Sequence, residues 1–301
     1  MNWTYYKKWG RIISLFLFAR YPIINGLSFL MLLGERAKRE THPPINPNVI
    51  YGHIGVFIGA GLAMGFNVQR RVAALLHVAQ LIFLAYIIQT NEKLKYKDWL
   101  RTKICLRMLG TAGFFLLYAF FTSQKPRIQY LRRIGETFVG IYVACFLYQL
   151  LTEPTEKEAF LKHALGGTIS LYMFAILLAV CTLCYIPGFF VIDITQALLL
   201  ALWFFTVTVD SRMHYWTKRI GVDYWIQIRL IADHFAMMLG CLMYVTCSKK
   251  VMAVDGVSSV AESDEEIEVI EQTPLEQPEV HAHPNPEEDI TEQTEQSKKQ
   301  Q

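Results

Sequence analysis

Residues Leu165–Val209 read LGGTISLYMFAILLAVCTLCYIPGFFVIDITQALLLALWFFTVTV, and Asp193 is the one Asp, Glu, Lys or Arg among them. Pro187-Gly188 punctuates the stretch and leaves an apolar block on either side. Each block is long enough to cross a hydrocarbon core of about 30 Å as a helix. Lipid offers the backbone no water, so such a block must satisfy its own hydrogen bonds, and it does so as an α-helix. This stretch decides the class: an integral membrane protein whose chain crosses the bilayer repeatedly.

Six further blocks lie outward of it. The expected helices run about Ile12–Leu33, Val49–Phe66, Val72–Ile88, Ile104–Phe121, Ile134–Leu151, Leu165–Ile186, Phe189–Val209 and Ile226–Val245. Pro22 falls inside the first, and Arg70-Arg71 leaves a very short turn between the second and third. For the second to fifth an alternative stays open, in which two of them are tilted, interfacial or re-entrant. Trp3, Trp9, Trp99, Trp216 and Trp225 fall at expected ends, as an aromatic belt at the membrane–water interface requires. The expected fold is all-α: a polytopic transmembrane bundle of about eight helices over 12–248, a basic aromatic segment over 1–11, and a disordered acidic tail over 249–301.

The net charge of +3 hides a split. Residues 251–301 hold fourteen acids against two lysines, a net of −12, which leaves +15 on residues 1–250. A basic body suits anionic lipid head groups, and an acidic tail poor in aromatics suits disorder. Lys and Arg divide almost evenly between the two faces, so the positive-inside rule gives no orientation. A cytosolic tail is expected, because nothing downstream gives a translocated acidic segment a use. All six cysteines lie in or beside apolar blocks, against a secreted disulfide framework. Cys181-x-x-Cys184 has no second pair or nearby histidine and reads as core. No cofactor, metal or nucleic-acid site is indicated.

Ionisable residues inside the blocks are the functional candidates, because lipid makes them costly. At ~1.5 Å per residue, Arg20 lies ~12 Å, Asp193 ~6 Å and Asp233 ~20 Å below the face where the first helix starts. A long arginine at position 20 would then reach Asp193, or Asp233 with more strain. Arg229 and Asp233 are i,i+4 neighbours, and His234 follows. Arg20, Asp193, Arg229, Asp233 and His234 form the expected intramembrane polar cluster. Arg107 and Glu136, nearer helix ends, are expected to snorkel to the interface. Gly55-xxx-Gly59 and Gly61-xxx-Gly65 give two smooth faces for helix packing. In the tail, Ser263-Asp264-Glu265-Glu266 suits an acidophilic kinase, and Ile267-Glu268-Val269-Ile270 could add as a strand to a partner's sheet.

A series of short matches resembles the transmembrane protein 101 family over about residues 10–247. They are Arg20-x-Pro22, Glu35-Arg36-Ala37, Arg70-Arg71, Tyr96-x-Asp98-Trp99-Leu100 and Lys125-Pro126-Arg127. Gly140-Ile141-Tyr142, Gly166-Gly167, Asp210, Tyr215-Trp216 and Trp225-x-Gln227 continue it. The resemblance implies an eight-helix membrane protein without known enzyme activity, weakly associated with nuclear-factor-kappa-B type signalling. It carries no ligand or catalytic residues onto this chain, and the long acidic tail departs from its pattern.

Two functions are therefore expected in competition. One is a non-catalytic multi-pass protein that modulates signalling through partners, with the bilayer and the acidic tail as its contacts. The other is a small-solute or ion transporter or channel that uses the intramembrane charges. An intramembrane enzyme is disfavoured: Asp193 and Asp233 differ by ~14 Å in depth on a straight-helix count, and no HExxH, GxSxG or GxGD-like arrangement is present.

Overall fold

The computed structural model describes residues 3–37, 46–91, 94, 96–123 and 129–271, and the side chains of those between 9 and 248. The helices are α1 Trp3–Ala37, α2 Pro47–Gly65, α3 Arg70–Thr90, α4 Asp98–Thr122, α5 Gln129–Thr152, α6 Pro154–His163, α7 Gly167–Tyr185, α8 Val191–Phe205 and α9 Tyr224–Glu271. Among the described residues, eight helices are long and apolar enough to cross a membrane. The second to fifth blocks all form helices of full spanning length. Local chemistry sets the ends. Pro47 starts α2 where a missing N–H costs nothing, and the Asn46 side chain accepts from the Asn48 N–H at 3.0 Å. Gly188, at φ 83°, makes the α7–α8 turn that Pro187-Gly188 forecast.

Eight spans put both ends of the bundle on one face, here the near face. The loops after α1, α3 and α8, and α6 itself, then lie on the far face. α6 was not expected. It is a short polar helix begun by Pro154, with Glu156 in its first turn and Lys162 and His163 in its last, so its charges complement its dipole.

α4 sits at the centre: 78% of its most apolar stretch is buried, against 28% for those of α2 and α7. Lipid is as apolar as leucine, so close packing has to hold such a bundle together. Glycines make that packing possible. A Cβ on Gly113 would lie 3.1 Å from the Gly135 carbonyl, and one on Gly240 would lie 2.5 Å from the Phe114 ring. On the second helix only one of the two smooth faces packs. A Cβ on Gly61 would come within 2.6 Å of the Ile23 side chain, and Gly65 lies against Arg20. Gly55 and Gly59 have nothing within 4 Å. Gly61→Val should therefore cost about 1–3 kcal/mol by overpacking, whereas Gly59→Val should leave the melting temperature in detergent unchanged.

One boundary reading changes. Trp216 is fully buried and takes no part in an interfacial belt; Lys103 Nζ lies 4.2 Å from its ring centroid. The last helix carries the final span, Tyr224–Ser248, and runs on in sequence to Glu271. Ser263 falls within that stretch, with its side chain outside the described residues, as are residues 272–301.

Candidate functional site: two buried polar clusters

Two clusters of buried ionisable residues lie on different sides of α9. The first centres on Asp210. A π-helical turn, Thr206–Asp210, follows α8, and the Ser211 N–H reaches the Thr206 carbonyl at 2.9 Å. The wider turn lets Asp210 point inward, and such turns recur at functional places. Asp210 Oδ2 accepts from Arg107 Nη2 at 2.8 Å and lies 2.9 Å from His234 Nδ1. Its Oδ1 is 3.3 Å from Lys103 Nζ, which also donates to Glu156 of α6 at 2.7 Å. Arg107 Nη1 donates to the Leu230 carbonyl at 2.5 Å. His234 Nε2 lies 3.0 Å from the Tyr142 hydroxyl. Gln227 Nε2 donates to the Asp210 carbonyl at 2.8 Å.

Lys103, Arg107, Glu156, Asp210 and His234 are each at most 3% exposed. Two cations face two anions, so the cluster is neutral with a neutral imidazole. The space beside it is only about 10 Å³, too small for a ligand. This cluster is a clamp. It ties α4, α5, α6, the end of α8 and α9 at the far face.

The second cluster has room. A cavity of about 400 Å³ lies between α1, α2, α3, α4 and α9 toward the far face. Phe29, Leu32, Leu84, Ile88 and Ile226 form much of its wall, with Arg229 and Asp233 among its lining residues. Arg229 is 4% exposed and Asp233 1%. The Tyr21 hydroxyl donates to Asp233 Oδ1, and the Arg229 guanidinium lies 3.7 Å from the Phe29 ring centroid. Arg229 Nε and Nη2 and Asp233 Oδ2 have no hydrogen-bond partner among the described residues. The two side chains share the cavity, and among the described residues they form no direct ion pair with each other.

Of the five expected cluster residues, only Arg229 and Asp233 share a site. His234 turns to the Asp210 clamp, because successive residues on a helix point about 100° apart. Asp193 is exposed in the first turn of α8, where the helix dipole favours a carboxylate. Arg20 reaches neither acid. Its guanidinium lies over Phe16 at 3.6 Å and beside Gly65, and its neighbour Tyr21 is the residue that meets Asp233.

Two snorkelling expectations also fail. Arg107 is 2% exposed within the clamp. Glu136 is 3% exposed, accepting from Arg132 Nε at 2.8 Å and from the Tyr244 hydroxyl at 2.5 Å. Lys103, Glu156 and Asp210 also belong to the clamp, although none of them stands out in the sequence as a site residue. The available signal was Lys103 and Arg107 at i,i+4, two cations on one face of an apolar helix.

The fold and these clusters define a multi-pass integral membrane protein, a helix bundle organised around buried ionisable residues. Its sequence matches the profile of the TMEM101 protein family over residues 7–246, and the chain belongs to that family. No solved structure matches it.

Proposed function

We propose that this chain is a non-catalytic, membrane-embedded binding protein for a small amphipathic molecule, and that cavity occupancy is passed to protein partners. One observation carries the reading. A cavity of about 400 Å³ with a largely apolar wall holds two buried charged side chains whose donors and acceptor are not all used. Small-molecule sites are commonly apolar concavities of about 300–1,000 Å³ with a few convergent polar groups. An unsatisfied buried polar group costs about 1–3 kcal/mol, and more when charged. A ligand head that accepts from Arg229 and donates to Asp233 Oδ2 removes that cost. Alcohols and primary amides have this chemistry, and an alkyl or ring body would fill the wall.

The relay belongs to the same proposal. α9 supplies both Arg229 and Asp233 and leads in sequence into the acidic tail. A tail on the cytosolic side would recruit the partners, a role this chain would add to the family's pattern, since the family match ends at residue 246. A thermal-shift panel of long-chain alcohols, amides, acids and inorganic ions on the protein in lipid nanodiscs tests the binding claim. Ligands that bind only the folded state raise its melting temperature by mass action. Alcohols or amides should give a saturable rise that Asp233→Asn weakens. No rise with any member of the panel would count against the reading. Deleting residues 253–301 should leave that rise intact and abolish partner recovery.

A second reading, a small-solute carrier, rests on the depth of Asp233. It stands nine residues into α9, ~14 Å from the far face. That is near the midplane, where carriers place their sites. Liposome flux abolished by Asp233→Asn would favour the carrier, and binding without flux would favour the receptor.

A further inference from the structure

A basic hollow of about 580 Å³ lies on the far face and shares no lining residue with either buried cluster. The last turn of α6 and the segment after α8 enclose it. Lys162, His163, Arg212, His214, Tyr215 and Arg219 line it. A second π-helical segment, Tyr215–Ile220, folds Tyr215 and Arg219 back toward α6. The Arg219 and Lys162 head groups stand 5.5 and 5.6 Å from the Tyr215 ring centroid, and the His163 ring meets that ring edge-on at 5.0 Å.

The countercharge is small. Arg219 pairs with Glu158 at 2.7 Å, and among the described residues neither Lys162 nor Arg212 forms an ion pair. The cations act on one another: His163 is held below its ordinary pKa by partial burial and then by Arg212 and Lys162. Tyr215 supplies an independent sign of a missing partner. It is 5% exposed, and its enclosed hydroxyl has no hydrogen-bond partner among the described residues.

We infer that this hollow binds the phosphate of an anionic membrane lipid, with Arg212 and Lys162 on the phosphate oxygens and the Tyr215 hydroxyl donating to one of them. The surroundings select a lipid over a soluble phosphate. The hollow lies at the membrane–water level, where α7 begins. Leu165, in the turn before that helix, and Ile169, in its first turn, are 89% and 76% exposed, an apolar bed for an acyl chain that follows Lys162 and His163 in sequence. Arginine and lysine at a phosphate form charge-assisted hydrogen bonds, roughly twice as strong as neutral ones.

The test is native mass spectrometry of the full-length protein in detergent. It is titrated with phosphatidylglycerol, with phosphatidylcholine of the same chains, or with inorganic phosphate. The wild type should retain one phosphatidylglycerol about tenfold more tightly than phosphatidylcholine. The Arg212→Gln, Lys162→Gln double variant should lose that preference, and Tyr215→Phe, which removes only a hydroxyl, should weaken it several-fold. Lys157→Gln, on an exposed far-face lysine outside the hollow, should leave it unchanged. If the double variant does not fold, Lys162→Gln and Tyr215→Phe alone decide. Undiminished preference in the variants overturns the site, and inorganic phosphate displacing the lipid at equal concentration overturns its assignment to a lipid.

Discussion

Asp210→Ala should cost about 3–5 kcal/mol of stability, the largest loss expected from a single side chain in this protein. Removing one partner of a buried ion pair leaves the other charge in a medium that cannot solvate it. Here the loss would strand Arg107, which is 2% exposed and has Asp210 Oδ2 at 2.8 Å. Lys103 would keep Glu156 at 2.7 Å, and His234 would keep the Tyr142 and Thr206 hydroxyls, each at 3.0 Å. The clamp would therefore fail mainly at Arg107, loosening α8 from α4 and α9. Asp193→Ala is the control. That aspartate also sits in an apolar block but is exposed, so its loss should stay within about 0.5 kcal/mol. Thermal melting in one detergent would rank the two, and equal melting temperatures would remove the clamp from the account.

The second large effect separates stability from binding. Arg229→Leu with Asp233→Leu should melt at or above the wild-type temperature while losing all response to alcohol or amide ligands. Exchanging buried charges for well-packed apolar residues is often neutral, or stabilising by about 1–4 kcal/mol. The reverse should hold for Arg229→Leu alone, which leaves Asp233 buried with only the Tyr21 hydroxyl against it. Charges kept for binding at a cost in stability are a common trade. A double variant as unstable as the single one would mark the pair as structural. The same double change at Arg107 and Asp210 should lose less stability than Asp210→Ala, because it removes the stranded guanidinium while Lys103 keeps Glu156 and His234 keeps the Tyr142 and Thr206 hydroxyls.

The spans were legible because lipid imposes one requirement on the backbone and leaves it visible in residue type. The alternation of faces follows from counting those spans. α6 is not legible in the sequence because a ten-residue polar helix buries only Glu156, Ala159 and Phe160, too few to make a periodic pattern. The site was legible by residue type but not by direction. Counting depth along straight helices placed Arg20 near the acids, yet depth carries no information on azimuth. A turn of about 100° at the next residue makes Tyr21 the partner of Asp233. The same rotation divides Asp233 from His234. Asp210 read as the end of a helix because a π-helical turn has no signature in hydropathy, and that turn is what carries the carboxylate inward. Of the two glycine pairs, sequence could not tell the face that meets Ile23 from the face that meets nothing.

The most direct test of the binding account is photolabelling of the protein in nanodiscs with a diazirine-bearing long-chain alcohol, followed by peptide mapping. The account predicts adducts on the cavity wall, at Phe29, Leu84, Ile88 and Ile226, competed by the unlabelled alcohol and lost in the Arg229→Leu, Asp233→Leu variant. Adducts confined to outward-facing residues such as Leu183 and Ile169, indifferent to competitor and to the variant, would contradict it.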